Sequence, residues 1–264
     1  MKQILEYNGK KISYTKQGSG NSLVFIHGYL EYKEIWTDFI QSFIKNYKVL
    51  CIDLPGHGES ESISEIHTMK NMARVVKQIL DKEDIKESTI IGHSMGGYVS
   101  LAFANLFPKN TSSIVLFSSS ALNDSTEKIL ARNRDIELIK TEKKQLLIDN
   151  NIPKMFATNN LVKYNNLINT IKEESHQMSN TGIIAALEGM KTRLNYTEFL
   201  KTTSIPILFI AGVLDELIQI DVSKRQVTNC KSVTYKTLEH SGHMGYIEEK
   251  ELSAKYITDF LKTI

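Results

Sequence analysis

Ile90-Ile91-Gly92-His93-Ser94-Met95-Gly96-Gly97 joins an apolar run to a stretch with few polar interruptions that ends at Pro108. A serine with glycines two residues before and two after it, set between a strand and a helix, is the arrangement of an exposed nucleophile. So tight a turn would make side chains at 92 and 96 collide. It also pushes Ser94 into a strained backbone conformation with its hydroxyl exposed at the sheet edge. The Met95 N–H then sits at a helix N-terminus, where developing negative charge is favoured.

A serine hydroxyl is a weak nucleophile near neutral pH and needs a base beside it. In this architecture the chain order is serine, acid, histidine, which leaves His176, His240 and His243. His176 lies among Glu174, Ser175 and Gln177 in a helical stretch and reads as a solvated position. His240 and His243 share the loop Leu238-Glu239-His240-Ser241-Gly242-His243-Met244-Gly245. Gly242 directly before His243 lets that loop turn sharply, so His243 is the expected base and His240 a bracing or solvated residue. The acid that orients the imidazole should follow a strand. Ile207-Leu208-Phe209-Ile210-Ala211-Gly212 is such a strand, and Asp215 follows it. Glu216 adjoins Asp215 and would point elsewhere. Asp221 reads as a helix N-cap before Val222-Ser223-Lys224-Arg225-Gln226-Val227. After the run Leu23–Ile26 comes His27-Gly28-Tyr29-Leu30, whose Tyr29 N–H is placed to be a second oxyanion donor beside Met95. The His27 side chain is expected to brace that loop. Asp53, in Asp53-Leu54-Pro55-Gly56-His57-Gly58-Glu59-Ser60, is expected to hold a structural corner.

These residues need a scaffold that carries loops to one edge. Apolar runs recur at Leu23–Ile26, Val49–Ile52, Thr89–Ile91, Ile114–Phe117 and Ile207–Ile210, with alternation at Val233 and Tyr235. Short runs bounded by Gly, Pro or Ser suit strands buried on both faces of a parallel sheet. Before them, Ile4 and Leu5, Asn8-Gly9, then Ile12 and Tyr14 read as a hairpin. Met72, Val75, Val76, Ile79 and Leu80 keep helical spacing, as do Leu252, Tyr256 and Phe260. Strand–helix alternation indicates a three-layer α/β sandwich. Residues 119–200 break it with helical spacing alone, at Leu161, Tyr164, Ile168, Ile171, then Ile183, Leu187 and Met190. A crossover needs only about a dozen residues, so 119–200 is expected to be an inserted helical cap (lid) on a core of 1–118 and 201–264. Within it, Met155, Phe156, Leu161, Ile183, Ile184 and Leu187 are expected to divide between core and pocket.

Composition narrows the function classes. Lys plus Arg number 32 against 30 for Asp plus Glu, a net charge of +2. With no run of five like charges, a nucleic-acid partner is not expected. The beginning, Met1-Lys2-Gln3-Ile4-Leu5-Glu6, lacks the apolar stretch of a signal peptide. Ile205–Leu214, the longest apolar stretch, is too short for a bilayer, so no membrane insertion is expected. Cys51 and Cys230 are not in metal-ligand spacings and read as reduced thiols. The expectation is a cytoplasmic protein with a small-molecule partner and no metal.

Taken together, H-G-Y-L at 27–30, D-L-P-G-H-G-E-S at 53–60, G-H-S-M-G-G at 92–97, Gly212 with Asp215, and H-S-G-H-M-G at 240–245 resemble the α/β-hydrolase superfamily, in that order. The chain is similar to small bacterial esterase-like hydrolases with a helical cap. The resemblance implies an eight-stranded, mostly parallel sheet with strand two antiparallel. It also implies a cofactor-free Ser94–His243–Asp215 triad performing two-step acyl transfer on a small or medium acyl substrate, a carboxylic ester. Ser94 stands where haloalkane dehalogenases and epoxide hydrolases carry Asp. Met244 and His93 depart from the carbon–carbon hydrolase pattern of an aromatic residue after the histidine and asparagine before the serine. His93 and Tyr29 depart from the perhydrolase pattern. Two other readings keep the same residues: a lyase or synthase with Ser94 as base, and a ligand receptor that does not hydrolyse.

Overall fold

The computed structural model describes residues 1–264. Eight strands form one sheet: β1 (Lys2–Tyr7), β2 (Lys10–Gln17), β3 (Ser22–Ile26), β4 (Lys48–Ile52), β5 (Ser88–His93), β6 (Thr111–Phe117), β7 (Ile207–Gly212) and β8 (Val233–Leu238). Their spatial order is β1-β2-β4-β3-β5-β6-β7-β8. Only β2 runs against its neighbours, β1 and β4; every other pairing is parallel. The reversal follows from the hairpin at Asn8-Gly9, where both residues have positive φ, as a two-residue strand connection demands. Strands β3, β5 and β7 are buried at every residue, which is why they read as unbroken apolar runs. At the edge, β8 alternates exposed Thr234 and Lys236 with half-buried neighbours.

Helices flank the sheet. In α1 (Met69–Lys82) Met72, Val75, Val76, Ile79 and Leu80 are buried, and the Thr68 hydroxyl caps the helix by accepting the Asn71 N–H at 3.1 Å. Helix α2 (Met95–Leu106) runs directly from the end of β5 and is buried through its first ten residues. Between β6 and β7 the chain forms only helices: α3 (Thr126–Lys140), α4 (Lys144–Asn151), α5 (Asn165–Gln177), α6 (Asn180–Lys191) and α7 (Thr197–Thr202). After β7 come α8 (Ile220–Gln226), then α9 (Gly245–Glu248) and α10 (Lys250–Leu261) beyond β8.

Two local expectations are corrected. Asp221 is not the N-cap of α8: the cap position is Gln219, and Asp221 is the second helical residue, where its charge still favours the helix N-terminus. Leu161 and Tyr164 share the apolar spacing of α5 but precede it. The first helical residue is Asn165, because residues 158–164 are spent on a 3-10 turn and further turns. Both cysteines are free thiols, and no helix is long and apolar enough to cross a membrane.

Candidate active site

The parallel strands β3, β5 and β7 end at one sheet edge, and their following loops meet there, the usual place for ligands in open α/β sheets. At the end of β5, Ser94 has φ 50° and ψ −115°, a strained conformation for a residue with a side chain. The glycines around it are needed for space. A Cβ on Gly92 would lie 2.3 Å from the Gly96 carbonyl oxygen, and one on Gly96 would lie 2.2 Å from that of Ile26. The Ser94 N–H donates to the Phe117 carbonyl at 2.9 Å, tying the turn to β6. Ser94 is half-buried, and its hydroxyl makes no hydrogen bond within the protein.

Asp215 and His243 are brought together from loops after β7 and β8. The His243 Nδ1 lies 2.7 Å from the Asp215 Oδ2, and both side chains are buried. The other Asp215 oxygen, Oδ1, accepts the Leu217 and Ile218 N–H groups at 2.8 and 2.9 Å. Burial alone would push the Asp215 carboxyl up, but the His243 charge and these hydrogen bonds hold it below the usual carboxylate range. Burial likewise opposes the His243 cation, yet the Asp215 charge and hydrogen bond outweigh it and raise its pKa above the ordinary value of 6.5. The alternatives lie elsewhere. Glu216 and Asp221 are exposed, His240 is exposed, and half-buried His176 lies 3.6 Å from Asp149.

The reason His243 reaches this position differs from the sequence expectation. Gly242 does not adopt a positive φ. Its smallness is needed because a Cβ there would meet the Ala157 nitrogen at 2.6 Å. The loop is fixed by contacts: the His243 and Met244 N–H groups both donate to the Met155 carbonyl, at 2.8 and 3.1 Å.

Met95 opens α2, so its N–H is among the first-turn donors without a helical acceptor. The Tyr29 N–H, in the loop after β3, donates to no protein group. Beneath that loop His27 spans two chain segments, its Nδ1 2.7 Å from the Gly28 carbonyl and its Nε2 accepting the Leu54 N–H at 3.0 Å. Burial holds its pKa below the ordinary histidine value. Asp53 accepts the Lys33 and Glu59 N–H groups at 2.7 and 3.0 Å and the Lys33 ammonium at 2.8 Å, a corner brace.

Ser94 and His243 open onto a cavity of about 260 Å3. Its apolar wall includes Leu30, Ala131, Met155, Met190 and Ile218; its polar wall is Lys128, Arg132, Asp135 and Asn151. Of the six residues expected to share core and pocket duties, Met155 alone lines it. Phe156, Ile183 and Leu187 are buried in the core, and Leu161 and Ile184 pack against it. A larger cleft, about 690 Å3, lies at the opposite sheet edge among strand starts such as Ser22, Lys48 and Thr89, and holds neither Ser94 nor a histidine.

Residues 21–250 match the sequence profile of the alpha/beta hydrolase fold. The chain belongs to the alpha/beta hydrolase fold family. It is 28% identical over 251 residues to an uncharacterized hydrolase, YugF, of Bacillus subtilis, covering 91% of this chain and 90% of that one. It is 24% identical to monoacylglycerol lipase abhd6-A of Xenopus laevis, across 98% of this chain and 81% of the relative. Among solved structures, a thermophilic esterase from Thermogutta terrifontis superposes with a TM-score of 0.93 at 22% identity, covering 100% of this chain and 98% of the esterase. At that identity the likeness speaks for the fold.

Several buried charges of this alpha/beta hydrolase escaped sequence reading. Glu31 is fully buried behind the Tyr29 loop. It accepts the Gly28 N–H at 2.6 Å and lies 3.0 Å from His93 Nδ1, while His93 Nε2 lies 3.0 Å from the His243 carbonyl. One carboxylate and one imidazole thus link the Tyr29 loop, the Ser94 turn and the His243 loop. Burial works against the Glu31 charge, but His93 and the Gly28 N–H outweigh it and hold its pKa down. Glu248 does similar work from α9, accepting the Gly242 and Ala157 N–H groups, each at 2.8 Å.

Proposed function

We propose that the protein is a serine hydrolase that cleaves a small or medium carboxylic ester through an acyl-enzyme. The observation that carries this reading is the buried 2.7 Å contact of His243 with Asp215 on the same cavity wall as the strained, unpartnered Ser94. An imidazole fixed at Nδ1 by a carboxylate keeps Nε2 free to take a proton. The esterase and lipase names among the relatives support the same reaction class.

In the proposed reaction the Ser94 Oγ attacks the ester carbonyl carbon while its proton passes to His243 Nε2. Asp215 stays ionised and stabilises the imidazolium. The Tyr29 and Met95 N–H groups hold the oxyanion of the tetrahedral intermediate, at a helix N-terminus where that charge is favoured. The intermediate collapses, the C–O bond breaks, and His243 gives its proton to the departing alkoxide. Water then attacks the acyl-enzyme with His243 again as base, releasing the acid and restoring Ser94. Helices α3, α4 and α6 act as the cap that closes the cavity over Ser94 and sets acyl size. At about 260 Å3 the cavity is below the roughly 300–1,000 Å3 of drug-sized sites, which favours short acyl chains.

A panel of 4-nitrophenyl esters of rising chain length tests this. Steady turnover that falls beyond medium chains and disappears in Ser94→Ala is expected. Absence of turnover across the panel by a folded protein would overturn the hydrolase reading and favour the receptor or lyase.

A further inference from the structure

The polar wall of the cavity carries a charge arrangement that ester hydrolysis itself does not require. Arg132 projects from α3 with about 16% of its side chain exposed. Its Nε and Nη2 donate to the two oxygens of buried Asp124, at 2.5 and 3.3 Å. Asp124 is not free to neutralise it, because Arg193 also donates to the same carboxylate. Arg193 is in turn spent on the Leu122 carbonyl at 2.9 Å and lies over the Tyr98 ring at 4.2 Å. Two guanidiniums on one carboxylate leave a positive charge uncompensated. The Arg132 Nη1 donates to no protein acceptor, although Arg132 lines the cavity with Ser94 and His243.

One helical turn earlier on α3, Lys128 lines the same cavity; its ammonium has no protein partner, and its charge bears on His243. The one carboxylate on this wall, Asp135, forms no ion pair with either, although the Arg132 charge acts on it. Two cations, Arg132 and the exposed Lys128, therefore line the cavity against one carboxylate, and the Lys128 charge bears on His243. A planar guanidinium locked from behind by a carboxylate loses little freedom on binding a second one, so the site is preorganised for an anion. What remains unsatisfied is the Arg132 Nη1 edge, which finds no acceptor within the protein and favours an anionic one.

We infer that the ester cleaved at Ser94 carries a carboxylate a few atoms from the scissile carbonyl, as in a half-ester of a short dicarboxylic acid, and that Arg132, assisted by Lys128, binds that carboxylate. This rests on the hydrolase reading. The small cavity confines the anion to a short spacer.

The test compares 4-nitrophenyl hemiglutarate with 4-nitrophenyl valerate, which differ only in the terminal group, with the uncatalysed rates subtracted. Charge-assisted hydrogen bonds predict a kcat/KM ratio of about 10 or more in favour of hemiglutarate. Raising the salt concentration from low to high should erode that ratio. Arg132→Gln should lower the ratio at least about tenfold, Arg132→Lys should restore part of it, and Lys128→Ala should lower it less. A wild-type ratio at or below one overturns the inference while leaving the hydrolase reading intact. If neither ester is turned over, the hydrolase reading fails. Calorimetry with monomethyl glutarate then tests the subsite alone: binding weakened by Arg132→Gln upholds it, and absence of binding to the wild type refutes it.

Discussion

Asp215→Asn replaces one oxygen by an amide group and changes almost nothing in volume, yet the structure predicts a large loss of activity. Asp215 Oδ1 accepts two backbone N–H groups, from Leu217 and Ile218, while Oδ2 faces His243 Nδ1. An asparagine must put its single carbonyl oxygen on one side. Facing Leu217 and Ile218, it presents its NH2 to His243, so Nδ1 must accept and the ring proton moves to Nε2, where it blocks acceptance of the serine proton. The opposite flip restores the productive tautomer but leaves the buried Ile218 and part-buried Leu217 donors unpaired, at about 1–3 kcal/mol each. The productive population therefore falls by about 2–6 kcal/mol, from about thirtyfold to about four orders of magnitude, centred near a thousandfold. Loss of the carboxylate charge behind the imidazolium acts in the same direction. The assay is kcat on 4-nitrophenyl butyrate at a pH above the wild-type rising limb, with circular dichroism confirming an intact fold. Activity within tenfold of wild type would refute the assignment of Asp215 and the hydrogen-bond reasoning behind it.

Other outcomes follow from the same geometry. Because Asp215 raises the His243 pKa, kcat/KM should rise with pH along a limb whose midpoint lies above 6.5; a midpoint below that value in a pH–rate profile contradicts the pairing. The pair also links to stability. The raised His243 pKa gives stability that is full below 6.5 and is lost as pH rises through the folded value. The lowered Asp215 pKa gives stability present above 3.8 and lost as pH falls. Melting of wild type and His243→Ala across pH should therefore converge at both ends, and a constant difference argues otherwise. His240→Ala should lose less than about tenfold, roughly 1.4 kcal/mol, while His243→Ala falls about as far as Ser94→Ala; the reverse ranking exchanges the two histidines. Gly96→Ala, whose new Cβ meets the Ile26 carbonyl oxygen at 2.2 Å, should destabilise by about 1–3 kcal/mol or more, read as a lowered Tm. Dialysis against EDTA should leave ester turnover unchanged, and loss restored by a divalent ion would contradict a metal-free mechanism.

Much of the scaffold is legible along the chain because the sheet writes itself in apolar runs. Strands β3, β5 and β7 are buried on both faces, and only apolar or small residues tolerate that. The Ser94 turn is equally readable, since backbone collisions force glycine at 92 and 96. What escapes is whatever depends on partners far away in sequence. Glu31, Lys33, His93 and Glu248 are polar or charged types that composition assigns to the surface, yet all four are buried. Each is satisfied by groups 20 or more residues distant or by a loop it holds in place, such as Lys33 with Asp53 and Glu248 with Ala157. Gly242 shows the same limit: its role comes from the approach of Ala157, not from its own turn. The cavity wall was hidden for a related reason. Periodicity marks the apolar face of a helix, while Lys128, Arg132 and Asp135 define the cavity from the polar positions of α3.

The most direct measurement is intact-protein mass spectrometry during turnover of 4-nitrophenyl butyrate, quenched in acid within the first turnovers. Acyl transfer through Ser94 predicts a butyryl adduct that maps to the peptide containing Ser94, an accompanying burst of nitrophenol, and loss of both in Ser94→Ala. An adduct on another residue would reassign the nucleophile. Full wild-type turnover retained by Ser94→Ala would contradict the account at its centre.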